Sequence, residues 1–156
     1  MLTITLPGAD DLKLEHLVLD FNGTLACDGV LLEGVPSMLG RLAPHLRIHV
    51  VTADTFGTAR QALAGLPCEV VVLDAAAQSE AKRDQVQRLG SEAVACIGNG
   101  RNDLLMMGAA RLAIAVTQAE GASPATLAAA DVVTGRVQDA LELLLHPLRL
   151  AATLRT

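Results

Sequence analysis

Two aspartates, one threonine and one lysine have types and positions suited to chemistry. Asp20 and Thr52 each directly follow an apolar, strand-like run, Asp103 lies shortly after another, and Lys82 lies on a predicted helix. If the strands are parallel, their carboxyl ends bring these side chains to one edge of the sheet. Neighbouring carboxylates repel unless a cation joins them, and oxygen ligands suit Mg²⁺. Magnesium, Lys82 and Thr52 would attract a phosphoryl group that an aspartate could attack, so the set predicts phosphoryl transfer.

Short apolar strands alternate with helix-like segments along the chain, which predicts an α/β fold. Such βαβ units form a Rossmann-like parallel sheet in three layers, with helices on both faces. The alternating run Leu2–Leu6 predicts an N-terminal hairpin that leads into the strand Leu17–Leu19, and we expect residues 1–156 to form one domain. The other predicted strands are Ile48–Val51, Val70–Leu73, Val94–Ile97, Leu112–Val116 and Asp131–Val133, and the predicted helices are Val35–Leu42, Gly57–Leu66, Ala75–Leu89, Asn102–Ala110, Ala122–Ala130, Val137–Leu145 and Leu148–Leu154.

Composition narrows the classes of protein that this chain can be. With 51% hydrophobic and 1% aromatic residues, the core must be built from aliphatic side chains. The formal charge of -5, without a basic run, argues against a nucleic-acid partner. No apolar run approaches the ~20 residues of a membrane span, so we expect a cytoplasmic protein with no membrane partner. The cysteines Cys27, Cys68 and Cys96 lack zinc-binding spacing, and the last two are expected to be buried thiols.

The motifs along the chain resemble those of the haloacid dehalogenase (HAD) superfamily. They are DFNGT at Asp20–Thr24, VTADT at Val51–Thr55, the single lysine Lys82, and GNGRND at Gly98–Asp103. Within that superfamily the chain resembles the phosphorylation domain of P-type ATPases, and it is most similar to small stand-alone proteins called soluble P-type ATPase-like hydrolases. The resemblance extends over residues 17–145 and implies a HAD-like phosphatase.

This resemblance implies a role for each matching residue. Asp20 would be the nucleophile that forms an aspartyl phosphate and would bind Mg²⁺ together with the backbone carbonyl of Asn22 and with Asp103. Thr52 would hydrogen-bond the phosphoryl oxygens, and Lys82 would neutralise the charge shared by Asp20 and the phosphate. The residues assigned to phosphate binding are Gly23, Thr24, Thr52, Ala53 and Lys82, the first two through an anion nest of backbone N–H groups.

Two asparagines stand where HAD phosphatases commonly carry acids. Asn22 occupies the position of an aspartate that protonates the leaving group and then activates water, and an amide cannot exchange a proton near neutral pH. Losing such help typically costs ~10² to 10⁴ in rate, so we expect slow turnover and a long-lived aspartyl phosphate. Aryl and acyl phosphates, whose leaving groups are acidic, should be affected less. Asn99 removes a further negative charge and should weaken Mg²⁺ binding, although Asn99 or water can still complete the octahedral shell.

The spacing of the motifs leaves no room for a cap domain. A helix and a strand already fill the interval from Asp20 to Thr52, and the same holds from Thr52 to Lys82. A capless cleft must accept a bulky substrate or borrow a lid from a neighbouring subunit. The segment Cys27–Leu32 is predicted to form a small hairpin flap, the nearest gate. The expected partners are therefore a small phosphorylated substrate or a phosphoprotein, and further copies of this chain in a homo-oligomer that could supply a lid.

Several candidate residues also have structural interpretations. Asp54 is a candidate cap for the helix that follows it, Arg83 competes with Lys82 for the site, and Asn102 is expected to cap its helix or orient its loop. The histidines show no ligand spacing and are interpreted as structural or exposed; they are His16, His45, His49 and His146. The alternative function is a catalytically impaired HAD-like protein that serves in binding or regulation.

Overall fold

The computed structural model describes residues 1–54 and 57–156. Thr55, the last residue of the second motif, lies outside the described residues. In the described ranges the strands are β1 (Leu2–Ile4), β2 (Leu12–Leu14), β3 (His16–Asp20), β4 (Ala26–Cys27), β5 (Val30–Leu31), β6 (Arg47–Thr52), β7 (Glu69–Val72), β8 (Val94–Gly98), β9 (Leu112–Val116) and β10 (Val132–Thr134). The α-helices there are α1 (Val35–Leu42), α2 (Thr58–Ala62), α3 (Gln78–Leu89), α4 (Leu104–Ala109), α5 (Pro124–Ala129), α6 (Val137–Leu145) and α7 (Pro147–Leu154).

Six strands form a parallel sheet in the order β10-β9-β8-β3-β6-β7. Central β3 pairs with β6 on one side and β8 on the other, and all five of its residues are buried. The chain extends the sheet from β3 through β6 to β7, and then returns to build β8, β9 and β10 on the opposite side. The order of strands therefore reverses beside β3, where ligands bind in sheets of this type.

Each face of the sheet carries its own apolar core, because successive strand residues point to opposite faces. Leu17 and Leu19 face a large core that also contains side chains of α1, α6 and α7 and of the first two strands. Val18 faces a smaller core with side chains of α3 and α4, including Met106 and Met107. Helices thus cover both faces, which confirms the predicted three-layer α/β fold.

The two predicted hairpins are present. The first pairs β1 with β2 in antiparallel register, with Leu2 opposite Leu14, and its first strand ends at Ile4 rather than Leu6. The second is the flap, defined here as residues 26–31, in which β4 pairs antiparallel with β5. Val30, near the tip of the flap, is 71% exposed.

The helix predicted over Gly57–Leu66 is shorter than expected, since α2 ends at Ala62. Gly65 adopts a left-handed conformation with φ of +78°, and Pro67 follows soon after, so neither residue continues a helix. The predicted starts of α3 and α4 are 3₁₀ turns at Ala75–Ala77 and Arg101–Asp103. The remaining helices lie within a residue or two of their predicted bounds.

Three further expectations concern burial and membranes. Cys96 is fully buried as predicted, but Cys68 is only half-buried, because it lies in the loop before the edge strand β7. His16 and His49 are buried and contact each other, with 3.1 Å between Nδ1 of His16 and Nε2 of His49. None of the helices in the described ranges is both long and apolar enough to cross a membrane.

Candidate active site

The strand ends form one edge of a cleft of about 330 Å³. Asp20 is the last residue of β3 and Thr52 the last residue of neighbouring β6, and both line this cleft together with Asn22 and Ala53. Gly29 of the flap and Thr58 of α2 also line this cleft, and they lie close together, since a Cβ placed on Gly29 would lie 3.5 Å from Cγ2 of Thr58. The predicted juxtaposition at the sheet edge is therefore present for these residues.

Lys82 joins the two aspartates of the first and last motifs. Its Nζ lies 2.6 Å from Oδ1 of Asp20 and 2.6 Å from Oδ1 of Asp103, and its side chain is fully buried. The competing candidate, Arg83, instead pairs with Asp84 in a partly exposed contact of 2.8 Å. α3 thus delivers Lys82 to the site and directs Arg83 away from it.

The charges at this site are unbalanced, with two carboxylates for one ammonium. Burial raises the pKa of Asp20 to about 7, the charge of Asp103 adds to the rise, and Lys82 opposes it. Burial alone would lower the pKa of Lys82, but the two carboxylates outweigh it and raise that pKa above its usual range. The ammonium therefore remains charged, while Asp20 remains short of positive partners.

Thr24 connects the nucleophile position to the last motif. Its buried hydroxyl lies 3.2 Å from Oδ2 of Asp20 and 3.3 Å from Oδ1 of Asn99, and its single hydrogen can be donated to one of them at a time. Asn99 is also fixed through Nδ2, which donates to the carbonyl of Gly121 at 2.8 Å. Both oxygens of Asp20 thus have a partner, Lys82 on one and Thr24 on the other.

The turn after β3 is closed by its own backbone. The carbonyl of Phe21 accepts the N–H groups of Thr24, Leu25 and Ala26, and the N–H of Gly23 donates to the carbonyl of Ala26. The predicted anion nest at Gly23 and Thr24 is therefore wrong, because both N–H groups are already used within the turn. Thr24 contributes through its hydroxyl instead.

Asp103 is held deep behind Lys82. Its Oδ2 accepts the N–H groups of Asn99 and Gly100, each at 2.9 Å, and its exposed fraction is zero. Gly98 makes room for it, since a Cβ there would lie only 2.6 Å from Oδ2 of Asp103. The carboxylate therefore acts on the site mainly through Lys82.

Asn22, Thr52 and Asp54 lie on the cleft side of the site, where their polar groups are less fully used than those of Asp103. The side chain of Asn22 is exposed to the cleft and makes no hydrogen bond to any residue that the structure describes. The hydroxyl oxygen of Thr52 accepts the N–H of Asp54 at 3.3 Å, which leaves the hydroxyl hydrogen free to be donated. Asp54 itself accepts the N–H groups of Ala59 and Arg60, so its role in starting α2 is confirmed.

Asn102 orients the loop rather than capping a helix. Its Nδ2 donates to Oε1 of Gln78 at 3.0 Å, which links the 3₁₀ turn before α4 to the start of α3. Both residues line the cleft. The structure therefore supports the expectation that Asn102 orients its loop.

The oxygen atoms around the cleft fit a hard divalent cation. Carboxylate, amide and backbone carbonyl oxygens are the ligands that Mg²⁺ prefers. Burial and, after it, the charge of Asp103 raise the pKa of Asp20, and a nearby cation would offset the second of these causes. Of the predicted ligands, Asp20 and Asn22 line the cleft. Asn99 and Asp103 lie behind them, within the hydrogen-bond network of Thr24 and Lys82.

Sequence motifs did not indicate Gln118 and Glu120, which contact this site from the loop between β9 and α5. Gln118 donates to the carbonyl of Gly23 at 2.9 Å, and Glu120 accepts the N–H of Asp28 in the flap at 3.0 Å. Both lie far from Asp20 in sequence and outside the four motifs, so only the three-dimensional arrangement reveals them.

No protein-family model matches the chain. An uncharacterized protein of Methanocaldococcus jannaschii is 45% identical over 62 residues, which cover 40% of this chain and 67% of that protein. The chain therefore belongs to the same family as this archaeal protein.

The solved structures that resemble the chain include hydrolases of the HAD superfamily and phosphatases. A protein from Legionella pneumophila assigned to subfamily III A of the HAD superfamily hydrolases has a TM-score of 0.73 at 20% identity, covering 92% of this chain and 88% of that one. The 3-deoxy-D-manno-octulosonate 8-phosphate phosphatase of Moraxella catarrhalis, solved with magnesium, phosphate and a KDO molecule, has a TM-score of 0.67 at 19% identity, covering 86% and 87%. The narrower resemblance to soluble P-type ATPase-like hydrolases stays a prediction.

Proposed function

We propose that this chain, which has the fold of the HAD superfamily hydrolases, is a divalent-metal-dependent phosphohydrolase that acts through Asp20. The observation that carries the proposal is the placement of Asp20. Its carboxylate lines the cleft at the central strand end, with Lys82 at 2.6 Å from one oxygen and Thr24 at 3.2 Å from the other. A carboxylate held in this way can attack an electrophile without rotating freely.

The first chemical step transfers the phosphoryl group to the protein. One carboxylate oxygen of Asp20 attacks phosphorus, the bond between phosphorus and the leaving-group oxygen breaks, and an aspartyl phosphate forms. Lys82 offsets part of the negative charge, and the hydroxyl of Thr52 donates to a phosphoryl oxygen. Fixed donors of this kind stabilise the charge that develops in the transition state.

The second step releases phosphate. Water attacks the phosphorus of the aspartyl phosphate, the bond to Asp20 breaks, and inorganic phosphate leaves with the carboxylate restored. Asn22, the cleft residue two positions after Asp20, can orient water or a leaving group by hydrogen bonding but cannot take or give a proton. We therefore expect slow turnover, limited most strongly for substrates whose leaving group must be protonated.

A divalent cation would be held by the oxygens of Asp20 and Asn22, with Asn99 and Asp103 as the further ligands that the motif implies. When bound, the cation supplies positive charge that attracts phosphoryl oxygens. Because Asn99 carries no charge where an acid is common, weak binding is expected.

The substrate is expected to be a small phosphate ester or anhydride with an acidic leaving group, such as an aryl or acyl phosphate. A cleft of about 330 Å³ is near the lower end of ligand pockets, which span about 300–1,000 Å³. The resembling Moraxella phosphatase was solved with phosphate and KDO. In residues 1–54 and 57–156, which the structure describes, no cap domain covers the cleft.

A second candidate is a binding or regulatory protein that retains the fold with little turnover. The neutral amides at Asn22 and Asn99 favour it, since both weaken the chemistry.

One experiment distinguishes the phosphohydrolase from the binding or regulatory protein. The purified protein is incubated with an aryl phosphate and MgCl₂, and phosphate release is compared among the wild type, Asp20→Asn and the matched control Asp84→Asn, which changes an exposed aspartate on α3. We expect release by the wild type and control alone, together with a hydroxylamine-sensitive phosphoprotein in acid-quenched samples. If the wild type releases no more phosphate than Asp20→Asn, the enzyme proposal fails and the binding role is preferred.

A further inference from the structure

The loop between β9 and α5, residues 117–123, contacts the turn after β3, the flap and Asn99. Glu120 accepts the N–H of Asp28 in the flap, and the carbonyl of Gly121 accepts the side-chain amide of Asn99. The fit is close, since a Cβ on Gly23 would lie 2.5 Å from Nδ2 of Asn99 and 2.9 Å from Oε2 of Glu120. This loop is therefore packed directly against the turn that follows the nucleophile.

Gln118 makes the central contact of this loop. Its Nε2 donates to the carbonyl of Gly23 at 2.9 Å and to the carbonyl of Thr24 at 2.5 Å. Its Oε1 accepts the N–H of Val137, the first residue of α6, at 2.9 Å. The opposite orientation of the amide would set its oxygen against two carbonyls, so the partners fix which atom is the nitrogen.

These contacts use the hydrogen-bonding capacity of a glutamine side chain almost completely. The two N–H groups hold two successive carbonyls of the turn, and the oxygen anchors the amide to the start of a helix that packs on the sheet. The turn is thus tied to α6 as well as to its own backbone. An exposed glutamine without a specific role would not be expected to satisfy three backbone groups.

Hydrogen bonds link Gln118 through Thr24 to the carboxylate of Asp20. The carbonyl that Gln118 holds belongs to Thr24, whose hydroxyl lies 3.2 Å from Oδ2 of Asp20. Lys82 contacts the other oxygen of Asp20, so the hydroxyl of Thr24 fixes the remaining orientation of the carboxylate. A shift of this turn would rotate the attacking oxygen relative to the cleft.

We propose that Gln118 is a positioning residue, whose amide holds the Gly23–Thr24 turn and so orients the carboxylate of Asp20 for attack. The inference rests on the proposed function of Asp20. It concerns kcat rather than substrate affinity, because Gln118 lies behind the turn and does not line the cleft.

The test compares two substitutions with a matched control. Gln118→Met keeps the side-chain length and removes all three hydrogen bonds, and Gln118→Glu keeps an acceptor for Val137 while placing a carboxylate oxygen against two carbonyls. Gln138→Met is the control, since Gln138 is a nearby glutamine on α6 whose side-chain amide, among the described residues, donates to the carbonyl of Glu33 and not to the turn after β3. Steady-state kinetics with an aryl phosphate and Mg²⁺ are measured for each, together with amide hydrogen exchange of residues 20–32.

We expect Gln118→Met to lower kcat by about 10- to 100-fold with KM changed by less than about threefold, and Gln118→Glu to lower kcat further. Exchange over residues 20–32 should be faster in both variants, whereas Gln138→Met should match the wild type in both measurements. A wild-type kcat in Gln118→Met, or a loss confined to KM, would overturn the inference while leaving the proposed function intact.

If the wild type and Asp20→Asn are equally inactive, the proposed function fails instead, and the role of Gln118 in catalysis fails with it. Hydrogen exchange then reports whether Gln118 still holds the turn. Unchanged exchange over residues 20–32 in both Gln118 variants would remove the structural basis of the inference as well.

Discussion

In the proposed function, Asn22 is the residue whose chemical type most limits what the cleft can do. Its side chain faces the cleft without a partner among the described residues, so an aspartate of the same shape would fit there without displacing a neighbour. Lys82, by contrast, is fixed by two carboxylates and cannot be replaced without leaving both uncompensated. At the scale of single residues, we expect Asn22 to affect the rate and Lys82 to maintain the site.

Asn22→Asp should raise kcat on an aryl phosphate by about 10- to 100-fold near neutral pH, because it restores a group that can transfer a proton. The accumulated phosphoprotein should decrease at the same time, since the hydrolytic step gains a general base. Rapid-quench measurement of both quantities checks the prediction, with Asp28→Asn as a control on the flap. An unchanged or lower rate would contradict the assignment of Asn22 as the limiting residue.

Lys82→Met should lower the free energy of unfolding by about 3–5 kcal/mol, because it leaves two buried carboxylates without their cation. Urea denaturation measures the change, and Arg83→Met, one residue away and partly exposed, serves as the control. Adding Asp20→Asn to Lys82→Met should restore part of the loss, since one buried charge is removed. A loss equal to that of Arg83→Met would show that the ion pairs contribute little.

The elements were predictable wherever apolar periodicity decides the structure. The bounds predicted for α1 and α6 match the structure, because both helices bury one apolar face and have proline or a polar turn at their starts. α2 was overestimated because glycine and proline end it early, and the 3₁₀ turns before α3 and α4 depend on local geometry that periodicity does not encode. The flap was predictable from its turn residues.

His16 and His49 lie on the adjacent strands β3 and β6, His16 at the end of β3 opposite Asp20 and His49 two residues into β6. Burial lowers the pKa of each, the proximity of the other histidine adds to this for His16, and Glu69 opposes it for His49. The unfolded chain therefore binds protons at a higher pH than the folded protein does. This contribution to stability is complete above about pH 6.5 and is lost as the pH falls below that value.

Between about pH 7 and 5 the two histidines should lower the free energy of unfolding as the pH falls, whereas Asp20, whose pKa is raised to about 7, should increase it. We expect His49→Gln to remove part of the histidine contribution, so that its free energy of unfolding decreases less, or increases more, than that of the wild type over this range. Urea denaturation at a series of pH values measures it. His45→Gln, at an exposed histidine, should leave the slope unchanged. If His49→Gln retains the wild-type slope, another group is responsible for the acid sensitivity.

At the scale of the whole molecule, the sequence predicted which strand ends meet but not how loops distant in the chain support them. Asp20, Thr52 and Asp103 could be placed together because parallel strands share an edge. The contact of Gln118 with the turn after β3 depends on the conformation of a loop about a hundred residues later, for which no periodic pattern exists. The anion nest was wrong for a local reason, since the N–H groups of Gly23 and Thr24 donate to carbonyls within the turn itself.

Divalent cation should stabilise the whole fold, because binding to the folded chain alone shifts the unfolding equilibrium. At a concentration of about 100 times Kd the gain is about 2.7 kcal/mol. Thermal unfolding with increasing MgCl₂ should show a rise in Tm for the wild type and a much smaller rise for Asp20→Asn. An equal rise in both proteins would place the cation elsewhere.

The exposed flap tip also has an optical consequence. The chain contains neither tryptophan nor tyrosine, so its near-ultraviolet absorbance is very weak and it has no indole emission of its own. Val30→Trp would introduce a lone fluorophore where the side chain already points to solvent. Its emission spectrum would report changes around the flap, without emission from any other tryptophan or tyrosine, while phosphate mimics such as vanadate bind or dissociate.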